Sequence, residues 1–186
     1  MTPCKKILIL AAQPKASSPQ RLDQEVRDIA NGLERAKHRH QFQLEQRWAV
    51  TPRDMQRAML DVEPQIVHFL GGSRDAPGDD RGLVWEDDSG HSQLVSSDAL
   101  AALFKLFADS LECVMLSDAY SEQQAKAIAQ HINFVVGMQR AISHGAEIAF
   151  AVGFYDALGA GRSGKFAFEL GRAAIRFAQP LEASIP

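Results

Sequence analysis

The chain has few cysteines, no long apolar run and no excess of positive charge. Cys4 and Cys113 are the two cysteines among 186 residues, and their spacing indicates no disulfide framework. No apolar stretch approaches the roughly 20 residues that a membrane-spanning helix needs. The net charge of -3 disfavours non-specific binding to nucleic acid or anionic lipid. With no recognisable signal segment either, we expect a cytoplasmic protein with reduced thiols that binds neither nucleic acid nor membrane.

Metal and nucleotide motifs are also lacking. The six histidines are scattered, and His38 with His40 has no cysteines or carboxylates at a ligand spacing. The run GAGRSGK at 159–165 matches most of a phosphate-binding loop, but Phe166 replaces the Ser or Thr that binds magnesium. A helix stop at glycine followed by a turn explains this run better, since a predicted helix precedes it. We therefore expect no structural metal and no cofactor.

Short apolar runs alternate with segments of helical periodicity. Core strands are predicted at 5–12, 66–71, 113–116 and 134–138, an edge strand at 42–50, and a small hairpin at 83–95. Helices are predicted at 22–33, 51–61 with Thr51 as N-cap, from Ser97 or Asp98 to 107, 122–131, 146–158 and 166–177. This alternation predicts an α/β fold with a mainly parallel sheet. A length of 186 residues suits one domain, and we expect 178–186 to be a disordered or loosely packed tail.

The residues that follow two of the strands suggest a site at one edge of the sheet. LSDAYS at 116–121 places Ala119 after an apolar strand, where a catalytic side chain is expected in an α/β enzyme. HFLGGS at 68–73 runs from another strand into Gly71 and Gly72. These positions suggest an enzyme scaffold without its reactive groups.

Two other residues with reactive side chains are interpreted as structural. Cys113 lies six positions before Ala119, or roughly 20 Å along an extended strand, so we expect a core cysteine. His68 lies four residues before Gly72, roughly 13 Å away, which favours a buried, hydrogen-bonded histidine.

Five segments together resemble the CHAT domains, a family of caspase-like peptidase domains often found beside tetratricopeptide repeats. They are ILILAAQPK at 7–15, RLDQEVRDI at 21–29, PQIVHFLGG at 64–72, LVSSDALAALF at 94–104 and FAVGFYDALGAG at 150–161. The similarity extends over nearly the whole chain, to about Arg176. It implies a caspase-like three-layer fold, with helices on both faces of a mainly parallel sheet and a small β-hairpin insertion.

The resemblance also implies which positions carry catalysis in active members. Those members have a Gly-His-Gly after the third strand and a cysteine after the fourth, in a run like Asn-Ala-Cys-Tyr-Ser. Gly72 then stands at the histidine position and Ala119 at the cysteine position. Neither residue can attack a carbonyl or transfer a proton, so the resemblance predicts a pseudoenzyme.

The former catalytic positions would form part of a peptide-binding cleft. Its predicted lining consists of Gly71, Gly72, Ser73, Ser117, Asp118, Ala119 and Ser121. A serine nucleophile in this group has no identifiable base, and Ser121 has an alternative role as N-cap of the next helix. The resemblance implies a protein or peptide partner from bacterial defence or regulated proteolysis, such as an active CHAT protease or a repeat protein.

Two alternative functions remain at this point. The chain could be a CHAT-family cysteine endopeptidase whose nucleophile was replaced to inactivate it. It could also be a nucleotide-binding α/β regulatory domain. Neither the partner nor the oligomeric state follows from the sequence.

Overall fold

The computed structural model describes residues 4–11, 19–70, 84–86, 92–117 and 119–186. The strands are β1 Lys5–Ala11, β2 Phe42–Trp48, β3 Ile66–Leu70, β4 Val84–Glu86, β5 Ser92–Leu94, β6 Cys113–Leu116 and β7 Phe134–Val136. The helices are α1 Pro19–Arg35, α2 Pro52–Val62, α3 Ser97–Lys105, α4 Glu122–Ile128, α5 His144–Gly159 and α6 Gly164–Ala178.

Five strands form one parallel sheet in the order β2-β1-β3-β6-β7. The central strands are nearly continuous apolar runs, as expected where a parallel strand is buried on both faces. β2 lies at an edge, as predicted, and β4 pairs antiparallel with β5, as predicted for the hairpin. The α/β class and the mainly parallel sheet are therefore confirmed, and they are consistent with a caspase-like fold.

The sheet and helices α2, α3 and α4 form one compact unit. Alternate residues of the central strands point to one face of the sheet, where they pack against the apolar sides of these helices. This core includes Leu8, Leu10, Val67, Phe69, Val114 and Leu116 from the sheet, and Met55, Met59, Phe104 and Ile128 from the helices.

Local capping fixes where two of these helices begin. Thr51 caps α2 with a complete capping box, in which its hydroxyl accepts from the Asp54 amide and the Asp54 carboxylate accepts from the Thr51 amide. That cap confirms the sequence prediction. The N-cap of α3 is Ser96, whose hydroxyl accepts from Ala99 at 3.1 Å, so the prediction of Ser97 or Asp98 was wrong.

Helices α1, α5 and α6 form a second compact unit. Buried residues occur on all sides of α5, so it is the internal helix of this unit. Glycines allow its close contact with α6: a Cβ on Gly153 would lie 3.1 Å from the Gly171 Cα, and a Cβ on Gly171 would lie 2.8 Å from the Phe150 ring.

The last residues belong to this second unit and differ from the loosely packed tail that we expected. Ala183 and Ile185 are buried. The Glu182 carboxylate accepts from both the amide and the hydroxyl of Ser143, at 3.0 and 2.6 Å, and Arg172 donates to the Ala183 carbonyl at 2.9 Å. These bonds fix the segment that follows α6.

Candidate functional site

The carboxyl ends of β3 and β6 lie side by side. The two strands are parallel neighbours, with Phe69 in register with Leu116. The Ser117 amide extends the ladder by donating to the Phe69 carbonyl at 3.2 Å. The residues that follow both strands therefore start from one edge of the sheet, as the sequence analysis assumed. Gly71, Gly72, Ser73 and Asp118 lie outside the described residues, so the cleft that they would line stays a prediction.

Ala119 lies in a tight connection between β6 and α4. It is partly exposed, and the residue after it, Tyr120, has a backbone φ of 61°. A bulky side chain rarely adopts this left-handed conformation, which costs on the order of 1–3 kcal/mol. Such strain is typical of functional sites, where the surrounding structure imposes it. The strain makes this connection a candidate site, although Ala119 supplies only a methyl group.

The buried side chain of Ser121 anchors this connection by hydrogen bonds. Its side chain is fully buried, donates to the Leu116 carbonyl at 3.2 Å and accepts from the Met138 amide at 2.9 Å. The end of β6 is thereby joined to the segment after β7. Ser121 occupies the N-cap position of α4, but its hydroxyl makes no capping bond, so the predicted capping role was wrong. Burial also removes its hydroxyl from the surface on which a peptide would lie.

His68 and Ser117 form a buried pair just below the same edge. The His68 Nε2 and Ser117 Oγ atoms lie 2.8 Å apart, and both side chains are buried. Desolvation lowers the pKa of His68 from 6.5 to about 3, so the ring is neutral at physiological pH. The prediction of a buried, hydrogen-bonded histidine is confirmed. Its partner, Ser117, was not predicted, because it follows β6 and the distance from His68 had been considered only along β3.

A serine bonded to a histidine has the arrangement of a nucleophile and its base. Here the histidine is fully buried, and Ser117 exposes 7% of its surface. A ring whose pKa is about 3 is a weak proton acceptor near neutral pH. The pair is therefore better suited to joining β3 and β6 than to attacking a substrate.

Two other candidates from the sequence have structural roles. Cys113 is buried and pairs in register with Ile66 and Phe134 at the start of β6, which confirms a core cysteine. The 159–165 run joins α5 to α6 through Gly161, whose φ is 80°, and Ser163 caps α6. A helix precedes this run, whereas a phosphate-binding loop follows a strand.

One group of polar side chains was missed altogether. Glu25 from α1 meets His144 and Glu147 from α5, all within the second compact unit. A sequence signal existed, because Glu25 occupies the same stripe of α1 as Leu22, Val26 and Ile29.

Comparison with known proteins finds a distant similarity to a protein named as a probable protease. No family model matches the chain. A protein of Gillisia limnaea named "Probable protease" is 25% identical over 156 residues, which cover 83% of this chain and 27% of that protein. The chain thus spans about a quarter of its relative's length. This similarity supports a protease-like family at a general level.

Among the described residues, no helix is long and apolar enough to cross a membrane.

Proposed function

We propose that this chain is a caspase-like peptidase domain without catalytic activity, which binds a protein or peptide at the carboxyl edge of its sheet. One observation carries the proposal. The connection after β6 is strained at Tyr120, and the residue at the predicted nucleophile position is Ala119. The relative named as a protease supports the peptidase origin, and the five-stranded parallel sheet is compatible with it.

The distribution of thiols supports the lack of activity. The chain contains two cysteines, and a cysteine peptidase needs a thiolate at the site of attack. Cys113 is buried at the start of β6, whereas Ala119 follows the end of that strand. Cys4 precedes β1, again at the amino end of a strand. Neither sulfur belongs to the edge at which the peptide would lie.

The proposed ligand is an extended peptide. Strand ends, backbone amides and an open groove can hold such a peptide without any nucleophile. The partner belongs, on this proposal, to a bacterial defence or regulated-proteolysis system, and an active CHAT protease or a repeat protein is a suitable class. A cytoplasmic location forms part of the same proposal.

The absence of activity can be tested with electrophilic peptide probes. The unaltered chain should cleave no peptide library and should not be labelled at the sheet edge. Cys113→Ala is the control for reaction at a core thiol that unfolding exposes. Labelling of the folded protein that survives both Cys113→Ala and Cys4→Ser would contradict the proposal.

Restoring the catalytic pair tests the assignment of the two positions. The double change Gly72→His with Ala119→Cys should fold and should gain labelling by a cysteine-directed peptide probe. Ala119→Ser with Gly72→His is the matched control, since it restores a hydroxyl of similar size without a thiol. A folded double variant that labels no better than this control would refute the assignment.

Partner binding tests the role of the edge. After a partner is identified by pull-down, Ala119→Arg should abolish binding because it places a long charged side chain in the groove. Gln130→Arg, at an exposed position after α4, makes the same addition of charge elsewhere. Equal loss with both variants, or full binding by Ala119→Arg, would show that the partner uses another surface.

The Ser117–His68 distance of 2.8 Å favours a second candidate, a serine hydrolase. A fluorophosphonate probe distinguishes it, because an activated serine would be labelled and Ser117→Ala would remove that label. We expect no labelling of either protein, since the pair is buried.

A further inference from the structure

Three side chains of metal-ligand type converge where α1 meets α5. Glu25 comes from α1, and His144 and Glu147 come from the first two turns of α5. One potential ligand atom from each residue lies within 4.8 Å of the other two. The proposed peptide-binding edge contains none of these residues.

The two ligands on α5 are held in place by the start of that helix. His144 and Glu147 are three residues apart, so they share one face of the helix. Ser143, directly before them, caps α5 by accepting from the Ala146 amide at 3.4 Å. The Glu182 carboxylate accepts from the Ser143 amide and hydroxyl, which anchors the cap to the end of the chain.

Glu25 is an unusual residue for the buried face of a helix. Only 2% of its surface is exposed, and it shares its stripe with Leu22, Val26 and Ile29. A carboxylate remains charged in such surroundings where it is paired, hydrogen-bonded or bound to a metal. Its position therefore brings a buried carboxyl group close to an imidazole and a second carboxyl group.

All three ligand atoms lie within 4.8 Å of one another, and one of their separations fits a tetrahedral ion. His144 Nδ1 and Glu147 Oε2 lie 3.4 Å apart, at the long end of the range for a hydrogen bond. Bonds of 2.0–2.1 Å to a tetrahedral Zn²⁺ place two ligand atoms about 3.3 Å apart. The observed separation thus corresponds to one edge of a zinc tetrahedron.

We propose that Glu25, His144 and Glu147 form a binding site for a divalent transition-metal ion, with Zn²⁺ as the best match. One imidazole with two carboxylates favours Zn²⁺ over Mg²⁺ or Ca²⁺, which prefer larger, all-oxygen ligand sets. The side chains of His144 and Glu147 are 23% and 12% exposed, so a water can supply the fourth ligand. The ion neutralises the two carboxylates and joins α1 to α5.

This site departs from the expectation that the chain holds no metal. Glu25 is far from His144 in the chain, so no ligand spacing in the sequence reveals the site, and only folding brings the two residues together.

The first test is a calorimetric titration of the full, tag-free chain after chelator treatment. Zn²⁺ should bind one per chain and raise the melting temperature, while Mg²⁺ and Ca²⁺ at the same concentrations should not. His144→Ala and Glu25→Gln should each weaken Zn²⁺ binding by more than about a hundredfold, since even the loss of outer-shell partners costs 10–100-fold. His131→Ala and Cys4→Ser should bind as the unaltered chain does.

Absence of saturable Zn²⁺ binding to the unaltered chain would overturn the proposal, as would unchanged affinity in folded His144→Ala and Glu25→Gln. If either variant fails to fold, X-ray absorption of the zinc-loaded, unaltered chain decides. Nitrogen and oxygen ligands at about 2.0–2.1 Å, including one imidazole, support the site. A sulfur ligand at about 2.3 Å would place the ion on a cysteine and refute it.

Discussion

The burial of His68 makes the stability of the sheet unit depend on pH. Desolvation lowers the pKa of this residue to about 3 in the folded chain, against 6.5 when unfolded. Between these values the unfolded state binds one more proton than the folded state. Stability therefore falls as the pH falls from 6.5 toward 3, and the contribution is fully present above pH 6.5.

The size of the effect follows from the proton count. One proton corresponds to about 1.36 kcal/mol of unfolding free energy per pH unit within this window. Lowering the pH from 7 to 5 should remove about 2 kcal/mol through His68 alone. That is a substantial part of the 5–15 kcal/mol by which native proteins are usually stable.

Urea unfolding at pH 7, 6 and 5, followed by circular dichroism, measures this loss. The comparison is with the double change His68→Leu and Ser117→Ala, which replaces both hydrogen-bonding partners with apolar groups and leaves neither polar group unsatisfied at this pair. Carboxylates contribute equally to both proteins. The decrease in unfolding free energy between pH 7 and 5 should be about 2 kcal/mol smaller in the double variant.

His131→Ala, which removes a partly exposed histidine, is the control that separates the effect of burial from the effect of losing any histidine. An identical pH dependence in the double variant and the unaltered chain would show that burial does not hold His68 neutral. The structural interpretation of the His68–Ser117 pair would then be wrong, and its interpretation as a base and a nucleophile would gain support.

Three further substitutions test the packing, each by the free energy of unfolding in urea. Gly171→Ala should destabilise by about 1–3 kcal/mol, because its Cβ would lie 2.8 Å from Phe150; unchanged stability would contradict this contact. Thr51→Ala should cost about 1 kcal/mol by removing the cap of α2, with exposed Arg53→Ala as control. Ser121→Ala should cost about 1–3 kcal/mol by leaving the Met138 amide unsatisfied, and a neutral effect would refute that bond.

The sequence predicted the central strands well because their signal is local and strong. KKILILA forms β1 and IVHFL forms β3, and each is a short, mostly apolar run of the kind that a parallel sheet buries on both faces. The first residue of a helix was harder to predict where several adjacent residues could act as its N-cap. Ser96, Ser97 and Asp98 are adjacent and chemically similar, so only the observed bond to the Ala99 amide identifies Ser96.

The site was predicted less completely, because its contacts join distant segments. The position of Ala119 after β6 followed from strand order. The bond between Ser121 and Met138 did not, since it depends on where the chain passes after β7. In the same way, the pairing of His68 with Ser117 depends on the register of β3 against β6.

Ser121 and Gly137 anchor the connection after β6. Ser121 joins this connection to the segment after β7, and Gly137 packs so closely that a Cβ would lie 2.6 Å from Ala125 and 3.2 Å from the Ser121 carbonyl. These contacts anchor the chain directly after Tyr120, and none of them involves the methyl group of Ala119. A change of the side chain at position 119 should therefore cost little stability. For the same reason, Ala119→Cys should fold as the unaltered chain does, so failure to label would report on the site and not on the fold.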